Sequence, residues 1–306
     1  MSASGSTRAI VAALAANAGI AVAKFIGFLI TRSSSMLAEA VHSVADTSNQ
    51  ALLLLGQRKS RRDATELHQF GYGRSRFFYS FVVALVLFTL GAVFAIYEGY
   101  HKIVHPEPLT SAAVAVVILL VAIGLESYSF RTALVESRSL KGSWTWWQFI
   151  RQSRNPELPV VLLEDTGALL GLVFALFGVG LTILTGNPVW DGVGTLLIGM
   201  LLAVIAVILM VEMHSLLIGE SATAEELDAI RGALEHTEHV ERVIHLRTQY
   251  LGPEEMLVGA KIALAPSTDL ATVAATIDRA EAAVRAVVPT ARVIYLEPDL
   301  DRSLAR

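Results

Sequence analysis

Six stretches of the chain hold about 20 or more mostly apolar residues, the length a helix needs to cross a bilayer. They run near Ala9–Leu29, Met36–Leu55, Phe77–Tyr97, Leu109–Phe130, Leu158–Leu184 and Val189–Ile218. The second is the least apolar. Its sequence, SSMLAEAVHSVADTSNQALLLL, sets Glu39, His42, Asp46 and Asn49 at steps of three, four and three, so all four fall on one face of a helix. After residue 219 the pattern changes. Thr223 and Glu226 form a capping box that predicts a helix to about His236. Arg242–Leu251 and Met256–Leu264 read as strands joined at Gly252-Pro253, Asp269–Val288 as an amphipathic helix, and Arg292–Leu296 as a last strand. The expectation is a two-domain chain. An α-helical membrane domain of six transmembrane helices, residues 1–219, precedes a small cytosolic α+β domain of ferredoxin-like αββαβ order, residues 220–306.

Composition agrees. Of 306 residues 54% are hydrophobic and only 17% charged, against roughly a quarter in soluble domains. A net charge of −4 gives no basic surface for a nucleic acid. The absence of cysteine excludes disulfides, thiolate metal sites and cysteine nucleophiles. Any metal must therefore be held by imidazole, carboxylate, carbonyl or water, a donor set suited to zinc, manganese, iron or cobalt.

Basic residues set the expected orientation. Arg58, Lys59, Arg61, Arg62, Arg74 and Arg76 lie between the second and third spans, and Arg138, Lys141, Arg151 and Arg154 between the fourth and fifth. The positive-inside rule puts both loops, and with them both termini, in the cytoplasm. No cleavable signal is legible before the first span, and the Ala- and Arg-rich composition points to a bacterial inner membrane. In the second basic loop Trp144, Trp147 and Ile150 are expected on one face of a short helix. It lies either in the headgroup layer, with Arg151 and Arg154 near phosphates, or packed on its own protein.

Candidate chemistry sits in two spans. An ionised carboxylate at the bilayer centre costs at least ~2.5 kcal/mol on insertion scales, so the polar stripe of the second span must face helices, water or a cation. His42 and Asp46, four residues apart, can clamp one ion. In the fifth span Glu164 and Asp165 interrupt NPELPVVLLEDTGALLGL. Adjacent helical residues point about 100° apart, so one of the two aims at a given centre unless Pro159, a turn upstream, loosens the backbone. His42, Asp46 and one or both acids would make a zinc-like set of three or four ligands. Glu39 and Asn49 are candidate supporting groups. Lys24, Glu98, Glu126 and Asp191 are weaker signals near span ends, where lysine can snorkel. Asp191 is expected at the outer entrance or as a helix cap. Gly167 and Gly171 form a small face for close helix packing.

SMLAEAVHSVADTSN, the basic linker ending LHQFGYGR, the acid early in the fifth span and the αββαβ tail together resemble the cation diffusion facilitator family, and the long Trp-containing loop with LLEDTGALLGL looks most like the branch related to vertebrate zinc transporter nine. The resemblance implies a homodimer, alternating access and exchange of metal for protons. It assigns His42, Asp46 and Asp165 to the transport site. The family pattern has His or Asp four residues before that aspartate, where this chain has Val161; Glu164 or a water would then supply the missing donor. His68 matches a linker ligand position, but Tyr72 stands where a second His is common. In the tail Ile244, Lys261 and Tyr295 occupy ligand positions and Glu297 alone could bind, so no strong cytosolic zinc site is expected. His236, His239 and His245 read as surface residues.

The expected function is zinc efflux by proton antiport, with Mn2+, Fe2+ or Co2+ as other cargoes and the lipid bilayer as the setting. The alternative is a membrane-anchored metal sensor or interaction protein without turnover. An organic-cation carrier would want an aromatic cage, which the stripe lacks. No nucleophile motif, phosphate loop or cofactor fingerprint points to an enzyme.

Overall fold

A computed structural model describes residues 18–109 and 111–300. The chain divides into two compact units. One is residues 1–57 with 78–213, the other residues 58–77 with 214–306.

The first unit is helical. Helix α1 is described over Ala18–Thr31; the part of the expected first span before Ala18 lies outside the described residues. Helix α2 is Ser34–Ser60, α3 Ser75–Val104, α4 Ala112–Lys141, α5 the short Trp146–Gln152, α6 Glu157–Thr185 and α7 Val189–Ile218. Four of these, α3, α4, α6 and α7, are long and apolar enough on those grounds alone to cross a membrane. Helix α2 is long enough, but its polar stripe lowers its hydropathy. The helices overrun the apolar windows read from sequence: α4 continues to Lys141, about 45 Å in all at ~1.5 Å per residue.

Helix α2 does not start on its own residues. Arg32 takes a left-handed turn (φ 54°) after α1, and the carboxylate of Asp191 from α7 receives the first turn of α2. Asp191 accepts from Ser34 N at 2.8 Å and Ser35 N at 3.4 Å, and from the hydroxyls of Ser33 at 2.8 Å and Ser34 at 3.0 Å. A buried anion at a helix N-terminus meets both the free N–H groups and the positive end of the dipole. Helices α6 and α7 touch backbone to backbone. A Cβ on Gly178 would lie 2.8 Å from Trp190 O, and one on Gly194 2.8 Å from Phe174 O, so neither tolerates a side chain.

Helix α3 holds a π-helical stretch, Leu87–Val93. Along one line of α3 the buried residues Leu87, Gly91, Ala95 and Gly99 are spaced by four, with Ala92 buried beside them. An α-helix turns every 3.6 residues, so a strict step of four drifts around its surface. The wider turn absorbs the surplus.

In the second unit, α8 (Ala224–Glu235), β1 (Arg242–Gly252), β2 (Glu255–Ala263), α9 (Leu270–Val287) and β3 (Ala291–Asp299) follow the expected αββαβ order. The capping box of Thr223 and Glu226 is present. The sheet order is β1-β2-β3, with β1–β2 antiparallel and β2–β3 parallel, as in a ferredoxin-like unit lacking its first strand. Met256, Val258, Ala260 and Ile262 alternate inward from β2 against Ile230 and Leu234 of α8 and Ala280 and Val284 of α9. The basic linker 58–77 belongs to this unit. A Cβ on Gly73 would meet Leu251 O at 2.7 Å, and Arg76 pairs with Glu254 at 3.5 Å. The linker therefore lies against the β1–β2 turn.

Three expectations need correction. Helix α5 begins at Trp146, capped by Thr145, so Trp144 is outside it. Phe149 and Ile150 are buried, while Trp147 is 53% exposed; Arg151 bonds Glu212 at 3.2 Å. The segment packs on its own protein because its apolar side is Phe149–Ile150, not a tryptophan belt. Pro159 lies in the first turn of α6, where no intrahelical N–H bond is required, and α6 runs on regularly through Glu164 and Asp165. Lys24 does not snorkel. It is 1% exposed, because Glu39 draws its ammonium inward.

Candidate metal site

The polar stripe of α2 faces inward. Glu39, His42 and Asn49 are all at most 1% exposed. His42 Nε2 lies 3.6 Å from Asp46 Oδ2, a pairing set by their spacing of four. Among the described residues neither ring nitrogen of His42 has a hydrogen-bond partner, nor do the buried Asp46 Oδ1, Asn49 Oδ1 and Glu39 Oε1. Buried polar atoms are nearly always satisfied, so several open lone pairs within three helical turns are unusual.

The opposite wall is α6. Glu164 is buried and accepts from Asn49 Nδ2 at 2.6 Å. Asp165, the next residue, turns toward α4 and accepts from Ser129 Oγ at 3.2 Å. The two acids thus serve different neighbours, as their 100° separation requires. Between the walls is a small polar cavity of about 30 Å3, lined by Asp46, Glu126, Ser129, Glu164 and Asp165 among others. That is room for about one or two waters, or for a cation that has shed most of its shell. Val161 also lines the cavity, so the position four residues before Asp165 does face it, with an apolar group where a donor would fit. Gly171, one turn beyond Gly167 on α6, lets the helix close on α2: a Cβ there would lie 2.7 Å from Glu39 Oε1.

Among the described residues, no three His, Asp or Glu side chains converge tightly enough to enclose an ion. The arrangement is an open one. Asp46, backed by His42, forms one arm and Glu164 and Asp165 the other; Asp46 and the two acids line the cavity, and His42 lies behind Asp46.

The remaining expected residues sit elsewhere. Asp191 is fully buried and committed to the start of α2, so it serves as a cap of a neighbouring helix and not as an entrance group. His68 is exposed on the linker, packed at a tilt against Tyr72 with ring centroids 4.6 Å apart; Tyr72 occupies the position at which a second His would stand. In the second unit Lys261 reaches Glu297 at 2.7 Å and Asp299 at 3.1 Å, and these two anions hold its pKa above the usual lysine value. A fixed ammonium beside Glu297 leaves it a poor metal ligand. His236, His239 and His245 are exposed.

Sequence reasoning undervalued Lys24, Glu126 and Ser129. Glu126 and Ser129 are three apart on α4 and line the cavity together. Their spacing was the available signal, masked by exposed neighbours on the same helix.

Comparison with known proteins points the same way. The family model for the cation efflux transmembrane domain matches residues 10–218, and that for the cytoplasmic domain of cation efflux proteins matches residues 222–299. The mitochondrial proton-coupled zinc antiporter SLC30A9 of Mus musculus is 34% identical over 232 residues, 75% of this chain and 41% of that protein. Metal tolerance protein C4 of Arabidopsis thaliana is 29% identical over 259 residues, 84% of this chain and 57% of its own. The magnetosome protein MamB of a Magnetospira strain is 25% identical over 238 residues, 78% of this chain and 76% of its own. The chain thus spans less than half the length of the zinc antiporter it resembles.

Proposed function

Because the chain belongs to the cation efflux, or cation diffusion facilitator, family, we propose that it is an integral membrane carrier that moves divalent zinc against protons. The observation that supports this reading is Asp46, with a buried, unpartnered Oδ1, lining one polar cavity with Glu164 and Asp165, and His42 standing 3.6 Å behind it with both ring nitrogens unpartnered among the described residues. Mixed nitrogen and oxygen donors without sulfur suit zinc, with Mn2+, Fe2+ or Co2+ as nearest competitors.

The chemistry follows from shared lone pairs. His42 binds a metal only when neutral, and the carboxylates only when ionised. Protons and metal therefore compete for the same atoms, and arrival of one releases the other. Closing the α2 arm on the α6 arm would bring three or four donors to one ion, and reopening on the other side would complete alternating access. The membrane domain in this reading is residues 1–219 and the cytosolic domain 220–306. The cytosolic domain joins two copies in a homodimer, and both termini face the cytoplasm of a bacterial inner membrane.

The test is zinc uptake into proteoliposomes driven by a pH gradient. Asp46→Ala and Asp165→Ala should each abolish metal-dependent proton flux, and unchanged flux in both defeats the site. A membrane-anchored sensor, which the apolar Val161 at a donor position favours, would bind zinc without turnover. Transport of many ions per chain excludes it.

A further inference from the structure

We propose that Lys24 is the resident counter-cation of the cavity. Without metal, its ammonium is shared by Glu39 and Glu126; a divalent ion entering beside Asp46 displaces it from Glu126, whose carboxylate then faces the cargo. This rests on the carrier reading above.

Three helices meet at this ammonium. Lys24 comes from α1 and is 1% exposed. Its Nζ lies 3.1 Å from Glu39 Oε2 on α2 and 3.9 Å from Glu126 Oε1 on α4. The two contacts differ in kind. The first is a hydrogen-bonded ion pair; the second is longer than a hydrogen bond and holds by charge. The two anions also differ in place. Glu126 lines the cavity with Asp46, Glu164 and Asp165, whereas Glu39 is fully buried and does not line it.

Four carboxylates around one cavity repel each other, and in a water-poor interior that repulsion is only weakly screened. The ammonium of Lys24, behind Glu126 at 3.9 Å, offsets one of them. A divalent ion offsets two, so it competes with the ammonium for Glu126. The lysine has somewhere to go. Glu39 Oε1 is buried and has no hydrogen-bond partner, and a lysine carries three N–H donors on a flexible stem. Withdrawing toward Glu39 keeps the charge paired throughout. This explains why a lysine is spent in the interior of α1 at all. Pairing with Glu39 alone would put two charges there with no gain over an apolar pair.

The experiment is zinc titration calorimetry on the purified full chain, with Asp46→Ala as control. Lys24→Gln should tighten zinc binding about tenfold, as loss of a nearby like charge does in a partly shielded site. Glu126→Gln should weaken it by a similar factor. In the Glu126→Gln background, Lys24→Gln should have less than about a threefold effect, since the two residues act through each other. Where Lys24→Gln does not fold, the Lys24→Gln/Glu39→Gln double variant removes both members of the bond and should show the same tightening. Unaltered zinc affinity in Glu126→Gln, or effects of the two substitutions that simply multiply, overturns the proposal. If wild type does not bind zinc, or Asp46→Ala binds as well as wild type, the carrier reading itself falls. If those controls behave and only the Lys24 and Glu126 variants are silent, the counter-cation proposal alone falls.

Discussion

Replacing Asp191 should unseat the helix that carries His42 and Asp46 of the candidate metal site. Its carboxylate accepts from Ser34 N and Ser33 Oγ at 2.8 Å each, from Ser34 Oγ at 3.0 Å and from Ser35 N at 3.4 Å. Asp191→Ala leaves two backbone N–H groups and two hydroxyls to find other partners in a buried place. Hydrogen bonds to a charged group contribute about 1.5–3 kcal/mol each. The two shortest together give about 3–6 kcal/mol, reduced because the desolvation cost of the buried carboxylate disappears with it. A net loss of about 3 kcal/mol follows, in line with a cap at the upper end of its range of about 0.5–2 kcal/mol plus the hydroxyl bonds. At ~2–4 °C per kcal/mol for a unit of this size, the melting temperature should fall by about 6–12 °C. Asp191→Asn keeps one carbonyl acceptor and should lose about half as much. Heating purified protein and following the monodisperse fraction measures the shift, and hydrogen exchange should quicken at Ser34 and Ser35. A variant melting within about 2 °C of wild type, with unchanged exchange there, would refute the assignment of Asp191 as the cap of α2.

Two further outcomes concern the second unit. Gly73→Ala puts a Cβ 2.7 Å from Leu251 O, a backbone atom with no rotamer to yield, and should cost about 1–3 kcal/mol; faster limited proteolysis within residues 58–77 is the readout, and unchanged cleavage would show that the linker does not rest on the β1–β2 turn. Asp269 caps α9 through Thr272 N at 3.0 Å and Thr272 Oγ1 at 2.7 Å, and those bonds hold its pKa below the usual 3.8. A lowered carboxyl pKa means stabilisation that is present above 3.8 and lost as pH falls below it. The difference in melting temperature between wild type and Asp269→Ala should therefore be constant near neutral pH and shrink in acid; a constant gap down to pH values well below 3.8 would contradict the cap.

Much of this architecture is legible from periodicity. The capping box at Thr223 and Glu226 and the alternation along β2 follow from local spacing alone, because each is decided within a few residues. The inward stripe of α2 is likewise fixed by steps of three and four. What spacing could not supply is which helix each polar face meets. Asp191 is 157 positions from Ser34, and nothing around it tells an entrance group from a remote cap. Lys24 looked free to snorkel because its partner, Glu39, lies on another helix. For Glu164 and Asp165 the sequence set the angle between them, but only the positions of α2 and α4 assign Asn49 to one and Ser129 to the other.

The wide turn in α3 has a consequence for how that crossing tolerates change. Along the line of contact Leu87, Gly91, Ala95 and Gly99, the segment accommodates one more residue than a regular coil of equal rotation would. Gly99 sits where a Cβ would lie 2.6 Å from Leu196 N, so no other residue fits that position. Deleting one residue within Leu87–Val93 would let the stretch close into a regular α-helix and leave Gly99 facing α7, whereas inserting one would swing everything beyond it by about 100° and bring Glu98 to that face. The bulge thus acts as slack in the register: the crossing can lose a residue between Leu87 and Gly99, but it cannot gain one.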